Sequence, residues 1–299
     1  MNSKSKSFDI AQHVTDMIVK AIEAGAGKWE MPWHKVGGIM SEPVNVLGRA
    51  YRGMNLWLLM IAAENAGYTS NVWGTYKMWA AKGAQVKKGE KSTMVVFWKR
   101  TDYKAKDEAG EEIDKKGLLL RYYNVFNEQQ VEGYEPKEVP VVISAEQRIE
   151  NADKFFAATG AVVNHGGNRA FYAPSRDTIQ LPEFSQFKSP EAYYATLGHE
   201  TVHWTGHETR CDRKLNVNRF GDEAYAFEEL IAELGSAFLC AHLGIANDPR
   251  PDHAQYIQSW LKALKNDKRA VFSAASKAQA SLDFLTKQEE EEETVAEAA

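Results

Sequence analysis

Apolar side chains recur at helical spacing between Asp9 and Gly25, at Ile10, Val14, Met17, Ile18, Ala21 and Ile22, and predict an amphipathic helix ended by Gly25 and Gly27. An aromatic loop, Lys28 to Trp33, follows. A second helix is expected over Leu56 to Ala66, capped by Gly67, and a short one over Trp73 to Lys82. The pattern then changes. Thr93 to Arg100 and Leu118 to Phe126 are rich in β-branched and aromatic residues and read as strands of a hairpin, joined by the charged loop Lys104 to Lys116. Residues 1–130 are thus expected to form a small antiparallel α+β domain. Polar residues with Gly133, Pro136 and Pro140 mark a linker at 131–145. Helical patterns then dominate: Glu146 to Thr159, Pro190 to Thr205, Glu223 to Cys240, Asp252 to Lys265 and Lys268 to Thr286. Two short strands interrupt them, Arg169 to Pro174 and Asp177 to Pro182, joined by a turn. The second domain, 146–288, is expected to be mostly helical with a small sheet. The like-charged run Glu289 to Glu293 reads as part of an acidic disordered tail, 289–299.

The chain has 299 residues and is 44% hydrophobic, enough to give two domains their cores. Its formal charge of −5 is uneven: the first 140 residues are slightly basic and the rest acidic. The two cysteines, Cys211 and Cys240, form no Cys-x-x-Cys and point to a reducing compartment. The N-terminal residues lack an apolar signal core, and no window approaches a membrane span, so a soluble cytoplasmic protein is expected.

Chemistry concentrates in Gly198-His199-Glu200-Thr201-Val202-His203-Trp204-Thr205-Gly206-His207. In this H-E-x-x-H pattern His199 and His203 project from one face of a helix and can share a metal ion, usually zinc. Glu200 sits beside the first ligand, where it can take a proton from a water at the ion. Gly206 is placed to end the helix. The pattern H-E-x-x-H-x-x-G-x-x-H would need histidine at 209; the residue is Thr209, which excludes the metzincin arrangement. A third ligand from a second helix is the alternative. Glu229 and Glu233 share a face of the 223–240 helix, which also carries the apolar stripe Leu230, Leu234, Ala237 and Phe238. A carboxylate there is costly unless paired or metal-bound. Glu229 is therefore assigned as third ligand and Glu233 as the acceptor that orients a ligand histidine. Glu228 points about 100° away and is the weaker choice. Zinc is the expected ion, with Mn or Co able to replace it. An oxyanion donor is also required, with Tyr225, Tyr172 and His207 as candidates. The strand Asp177 to Leu181 offers an edge for an extended substrate.

A second candidate site lies in the first domain, which holds six of the eight tryptophans. Trp73, Tyr76, Trp79, Phe97 and Trp98 interleave with Lys77, Lys82, Lys87, Lys88, Lys91, Lys99 and Arg100, and Tyr51, Arg52 and Asn55 extend the set. Exposed rings that stack on bases, with cations along the phosphates, are how single-stranded nucleic acid is held. The competing reading makes the rings core and the lysines a solvated face.

With both halves read, the whole chain resembles the ArdC-type antirestriction proteins of conjugative plasmids and related mobile elements. In the first half the resemblance rests on Tyr51-Arg-Gly-Met-Asn55 and on Trp73-Gly-Thr-Tyr-Lys77 through Val86-Lys-Lys-Gly-Glu-Lys91. In the second it rests on Tyr172-Ala-Pro174, Asp177-Thr-Ile-Gln-Leu-Pro182, the metal motif, and Phe227-Glu-Glu-Leu-Ile-Ala-Glu-Leu-Gly235. It implies an N-terminal domain that binds single-stranded DNA, a C-terminal zincin-like metallopeptidase domain, and protection of incoming DNA from host restriction. The implied partners are single-stranded DNA and a protein substrate, with the host restriction machinery a candidate. Two rivals stand beside this reading: a DNA-binding protein with a non-catalytic metal site, and a regulatory metallopeptidase that cleaves a repressor.

Overall fold

The structure, a computed structural model, describes residues 8–26, 42–106, 112–135, 144–213, 223–245 and 256–297. The aromatic loop Lys28 to Trp33 and the Pro136 to Pro140 part of the linker lie outside them. Helix α1 (Ile10–Ala26) follows the apolar periodicity, and α2 (Met54–Ala66) ends at Gly67 in the left-handed conformation, φ 70°. Strands β1 (Val44–Asn45), β2 (Val72–Gly74), β4 (Thr93–Lys106) and β5 (Glu112–Asn127) form one sheet in the order β1-β2-β5-β4. The short pair β3 (Gln85–Val86) and β6 (Val131–Glu132) flanks it, so the start of the 131–145 segment belongs to the first domain and is not linker. The expected helix at Trp73 is split. Residues 72–74 pair with β1 and β5, and α3 (Tyr76–Ala81) begins after Thr75, whose hydroxyl accepts from Met78 N at 3.2 Å. The long loop expected at 104–116 is also shorter. β4 and β5 stay in register from Thr93↔Val125 out to Lys106↔Glu112. A hairpin that leaves its support has solvent on both faces, so no apolar alternation announces it.

In the second half α4 (Ala145–Ala158) leads to a three-stranded sheet, β7 (Val162–His165), β8 (Phe171–Ala173) and β9 (Thr178–Leu181). The strand order is β7-β9-β8, with β9 parallel to β7 and antiparallel to β8. Strand β7 went unread in the sequence. Its pairing also removes the free edge assigned to residues 177–181, because β9 is the central strand. Helices α5 (Pro190–Thr205), α6 (Glu223–Leu243), α7 (Ile257–Asn266) and α8 (Ala270–Glu297) complete the chain. Helix α8 runs through the acidic stretch expected to be disordered. Glutamate is a good helix former, and extending a packed helix avoids the cost of nucleation.

Helix α6 is apolar on nearly every side and forms the axis of the core, with Leu230, Ile231, Leu234 and Phe238 fully buried. Helix α5 crosses it closely. A Cβ on Gly235 would stand 2.7 Å from a methyl of Val202, so glycine there sets the approach of the two helices. The core is continuous between the halves: Val14, Ile18, Leu56 and Trp57 pack in one cluster with Leu230, Leu261 and Val271. Gln279 on α8 accepts from Gly53 N at 2.7 Å, and Arg52 pairs with Asp283.

Candidate active site

Helix α5 begins at Ser189, whose hydroxyl accepts from Ala192 N at 3.2 Å, with Pro190 in the first turn, and it ends at Gly206. It presents His199 and His203 inward. Their Nε2 atoms lie 3.1 Å apart. Glu229 faces both: one carboxylate oxygen lies 3.4 Å from His199 Nε2 and the other 3.6 Å from His203 Nε2. Among the described residues these three side chains form the group able to hold a metal ion, with ligand atoms within 4.8 Å of one another. Two imidazoles and a carboxylate with converging lone pairs fit a divalent ion of the zinc type. The Nδ1 atoms are taken up on the far side. His199 Nδ1 lies 2.9 Å from Glu233 Oε1, and His203 Nδ1 lies 3.4 Å from Glu228 Oε1. One helix, α6, thus supplies the facing carboxylate and both that lie behind the rings.

Burial alone would depress the His203 imidazolium. The charge of Glu229, the hydrogen bonds of Glu228 and Glu229, and the charge of Glu200 override it and push its pKa up to about 10. Burial would likewise raise Glu229, and the histidine charges hold it well below the usual carboxylate range. Glu200 is 3% exposed and close enough to His203 to act on its charge. Of the three oxyanion candidates, Tyr225 is the one beside the cluster. Its hydroxyl is hydrogen-bonded to Glu229 and lies 3.2 Å from that of Tyr256; burial, with the Glu229 charge, raises its pKa. Tyr172 donates to Asp177 at 2.7 Å, and His207 Nδ1 lies 2.9 Å from the Thr209 hydroxyl.

The first-domain candidates divide. Trp73 and Trp79 have no exposed surface, and Tyr51 is buried with Trp73, Leu59, Val95 and Val125, so none of the three offers a ring to a base. Trp79 donates its indole N–H to Phe126 O at 3.1 Å. A Cβ on Gly74 would stand 2.9 Å from that ring, so glycine makes room for it. Asn55 is structural: it donates to Val96 O and accepts from Val96 N, both at 2.7 Å, and so caps one edge of β4. Arg52 is held by Asp283. Tyr76, Lys77, Lys87, Lys88, Lys91 and Trp98 are exposed, Lys87 donating to Gln129 O at 3.0 Å. A face that sequence reasoning only partly found is the outer side of the β4–β5 hairpin. The register puts Phe97, Lys99 and Tyr103 on one side with Tyr123, Arg121 and Lys115. Phe97 is 42% and Tyr103 49% exposed, and the Phe97 and Tyr123 rings are 5.9 Å apart.

Two family models match the chain: the N-terminal domain of the anti-restriction factor ArdC over residues 8–126, and a zincin-like metallopeptidase over residues 150–277. The chain is 42% identical to the ArdC antirestriction protein of the R388 plasmid in its metal-free crystal structure. The match covers 94% of this chain and 98% of that one, with a TM-score of 0.76. The chain belongs to the ArdC family of antirestriction proteins. The Mn(II)-bound structure of the R388 protein matches with 40% identity and a TM-score of 0.73 over the same shares of each chain. The protein y4eC of Sinorhizobium fredii is 49% identical over 94% of this chain and 92% of its own length. The DNA primase TraC of Escherichia coli is 39% identical over 91% of this chain, which spans 19% of the primase. Within this ArdC-family chain, sequence reasoning found both histidines, Glu229 and Glu233 as residues that converge. Glu228 is not in the metal-facing group, as its position on α6 predicted, but its place behind His203 went unread, because angular position says nothing about a ring reaching it from α5. Of the hairpin face, sequence reasoning named Phe97 and Lys99 and not Tyr103, Lys115, Arg121 or Tyr123, because composition does not give register. No helix of the described residues is long and apolar enough to cross a membrane.

Proposed function

We propose that this ArdC-family protein holds single-stranded DNA on the outer face of the β4–β5 hairpin, carries a metal-dependent peptidase site between α5 and α6, and uses them to protect incoming DNA from restriction. The observation that carries the reading is the convergence of buried His199 and Glu229 with partly buried His203, beside buried Glu200. The donor set suits Zn(II), with Mn(II) or Co(II) as replacements, and the Mn(II)-bound R388 relative supports a divalent ion here. When bound, the ion supplies Lewis-acid polarisation of a carbonyl and acidification of a water. Glu200 takes the proton of the attacking water and delivers it to the leaving amine. Glu229 is kept in place by the Tyr225 hydroxyl. Strand β8 is an edge of its sheet, packs against α5, and offers an extended peptide its free backbone groups. On the hairpin, Phe97, Tyr103 and Tyr123 stack on bases while Lys99, Lys115 and Arg121 follow phosphates.

The test is the establishment of unmodified plasmid DNA in restricting cells that express the full chain. Protection lost with Glu200→Ala, and lost separately with Phe97→Ala plus Tyr123→Ala, supports both halves of the reading. Protection lost only with the hairpin pair favours occlusion of DNA alone. Protection untouched by either contradicts the proposal.

A further inference from the structure

Among the described residues, 206–213 after α5 supply none of the three converging side chains, yet they fold back against the site. Cys211 N donates to Thr205 O at 2.9 Å, Asp212 N to His207 O at 3.1 Å, and Arg213 N to Gly206 O at 3.1 Å. Asp212 adopts the left-handed conformation, φ 43°, uncommon for a residue with a side chain. The result is to place Arg213, whose side chain is 3% exposed, beneath the end of α5. Gly206 makes that possible: a Cβ there would stand 2.8 Å from Arg213 Nη2. The glycine of the motif therefore admits an arginine.

Each nitrogen of that guanidinium is engaged. Nε lies 3.2 Å from both oxygens of Glu228, and Nη2 lies 2.7 Å from Glu228 Oε1 and also donates to Val202 O. Nη1 donates to the hydroxyls of Thr205 and Ser281, both at 2.8 Å. Partners on α5, α6 and α8 hold it in a single geometry. Glu228, fixed in this way, reaches the Nδ1 side of His203. Glu233 lies behind His199, and Glu228 behind His203 is held by a buried cation from another segment.

We propose that Arg213 and Glu228 form a positioning pair for His203. Arg213 anchors the Glu228 carboxylate so that it turns His203 Nε2 toward the ion, and it keeps Glu228 from swinging in as a competing ligand beside Glu229. A hydrogen-bonded carboxylate behind a ligand imidazole fixes the ring's direction, and removing such a partner lowers metal affinity about 10–100-fold. This rests on the reading that His199, His203 and Glu229 hold a divalent ion.

The test uses the full chain, with Zn(II) affinity from competition against a chromophoric chelator and the visible absorption of the Co(II)-loaded protein. Arg213→Met and Glu228→Gln are each expected to weaken zinc about 10–100-fold and to alter the Co(II) spectrum, with far-UV circular dichroism of the metal-free protein unchanged. Arg213→Lys should recover part of the loss. The double variant should be no weaker than the worse single one, because both act through one interaction. If Glu228→Gln binds like the parent, the proposal is overturned. It is also overturned if Arg213→Met lowers Tm while affinity and spectrum stay put, for then the arginine is only a structural tie. Where Arg213→Met does not fold, Glu228→Gln and Arg213→Lys decide by the same readouts. A parent that binds no zinc removes the metal-site reading itself, an outcome distinct from parent-like binding by the variants.

Discussion

The α5–α6 pair and the β4–β5 hairpin are opposite solutions to placing reactive groups. Between the helices, imidazoles and carboxylates are buried and held from behind by further carboxylates. On the hairpin, rings and cations stand in solvent and are held mainly by backbone register. The first arrangement makes a rigid, dehydrated site in which charges act strongly on one another. The second leaves side chains free to adapt to a flexible polymer, at the cost of weak individual interactions. The halves meet through a common core: Trp57 of α2 packs in the cluster that carries Leu230 of α6.

One substitution at the stiff end should disturb fold and metal site together. Gly235→Val drives a branched side chain into Val202 at the helix crossing and should lower stability by about 1–3 kcal/mol or more, with loss of bound metal. Gly117→Ala in the hairpin presses only on the edge of the Tyr103 ring, which is half exposed and can move, with Thr101 at ordinary contact distance, and should cost under about 1 kcal/mol. Thermal unfolding of both variants, with metal analysis, checks the contrast.

The same difference governs how much could be read without coordinates. An i,i+4 pair of histidines fixes its own geometry, and the 223–240 helix could be expected to bring a carboxylate because burying one there is otherwise costly. The positions of His199, His203, Glu229 and Glu233 follow from that logic. Composition in the first half carries no such constraint. Trp73 and Trp98 have the same chemistry, yet one is fully buried and the other 48% exposed, because Trp73 sits on an inner strand and Trp98 on a hairpin leaving the sheet. Strand β7 was invisible for a related reason: its four residues, Val-Val-Asn-His, carry no alternation.

The next effect separates exposed rings from buried ones. Phe97→Ala or Tyr123→Ala should weaken binding to single-stranded DNA by roughly 1–3 kcal/mol, measured by fluorescence anisotropy, with unchanged Tm. Trp73→Ala should instead destabilise the fold by about 3–5 kcal/mol, and a folded fraction should retain its DNA affinity. Loss of affinity in folded Trp73→Ala with none in Phe97→Ala would invert the assignment.

pH should separate the two sites as well. In the metal-free protein His203 keeps its proton up to a pKa of about 10, so a metal ion binding at neutral pH must displace it. Zinc affinity should therefore rise with pH, by about tenfold per unit between pH 7 and 8 for one proton released. Calorimetry in buffers of different ionisation enthalpy reads that proton directly. The hairpin face carries no histidine, and its DNA binding should stay flat over the same range. The smallest effect concerns salt. Replacing Lys99 and Arg121 should flatten the dependence of DNA affinity on salt by about 0.7 for each phosphate left without its cation. The lysines of the 87–91 turn should contribute less, since Lys87 already donates to Gln129.

The proposed site has His199, His203 and Glu229 holding one divalent ion while Glu200 serves the chemistry. Metal content of the purified full chain, by mass spectrometry after zinc loading and desalting, tests it most directly. About one zinc per chain is expected in the parent and in Glu200→Ala, and well under half of that in Glu229→Ala. Full zinc in Glu229→Ala, with loss in Glu233→Ala or Glu200→Ala, would contradict it.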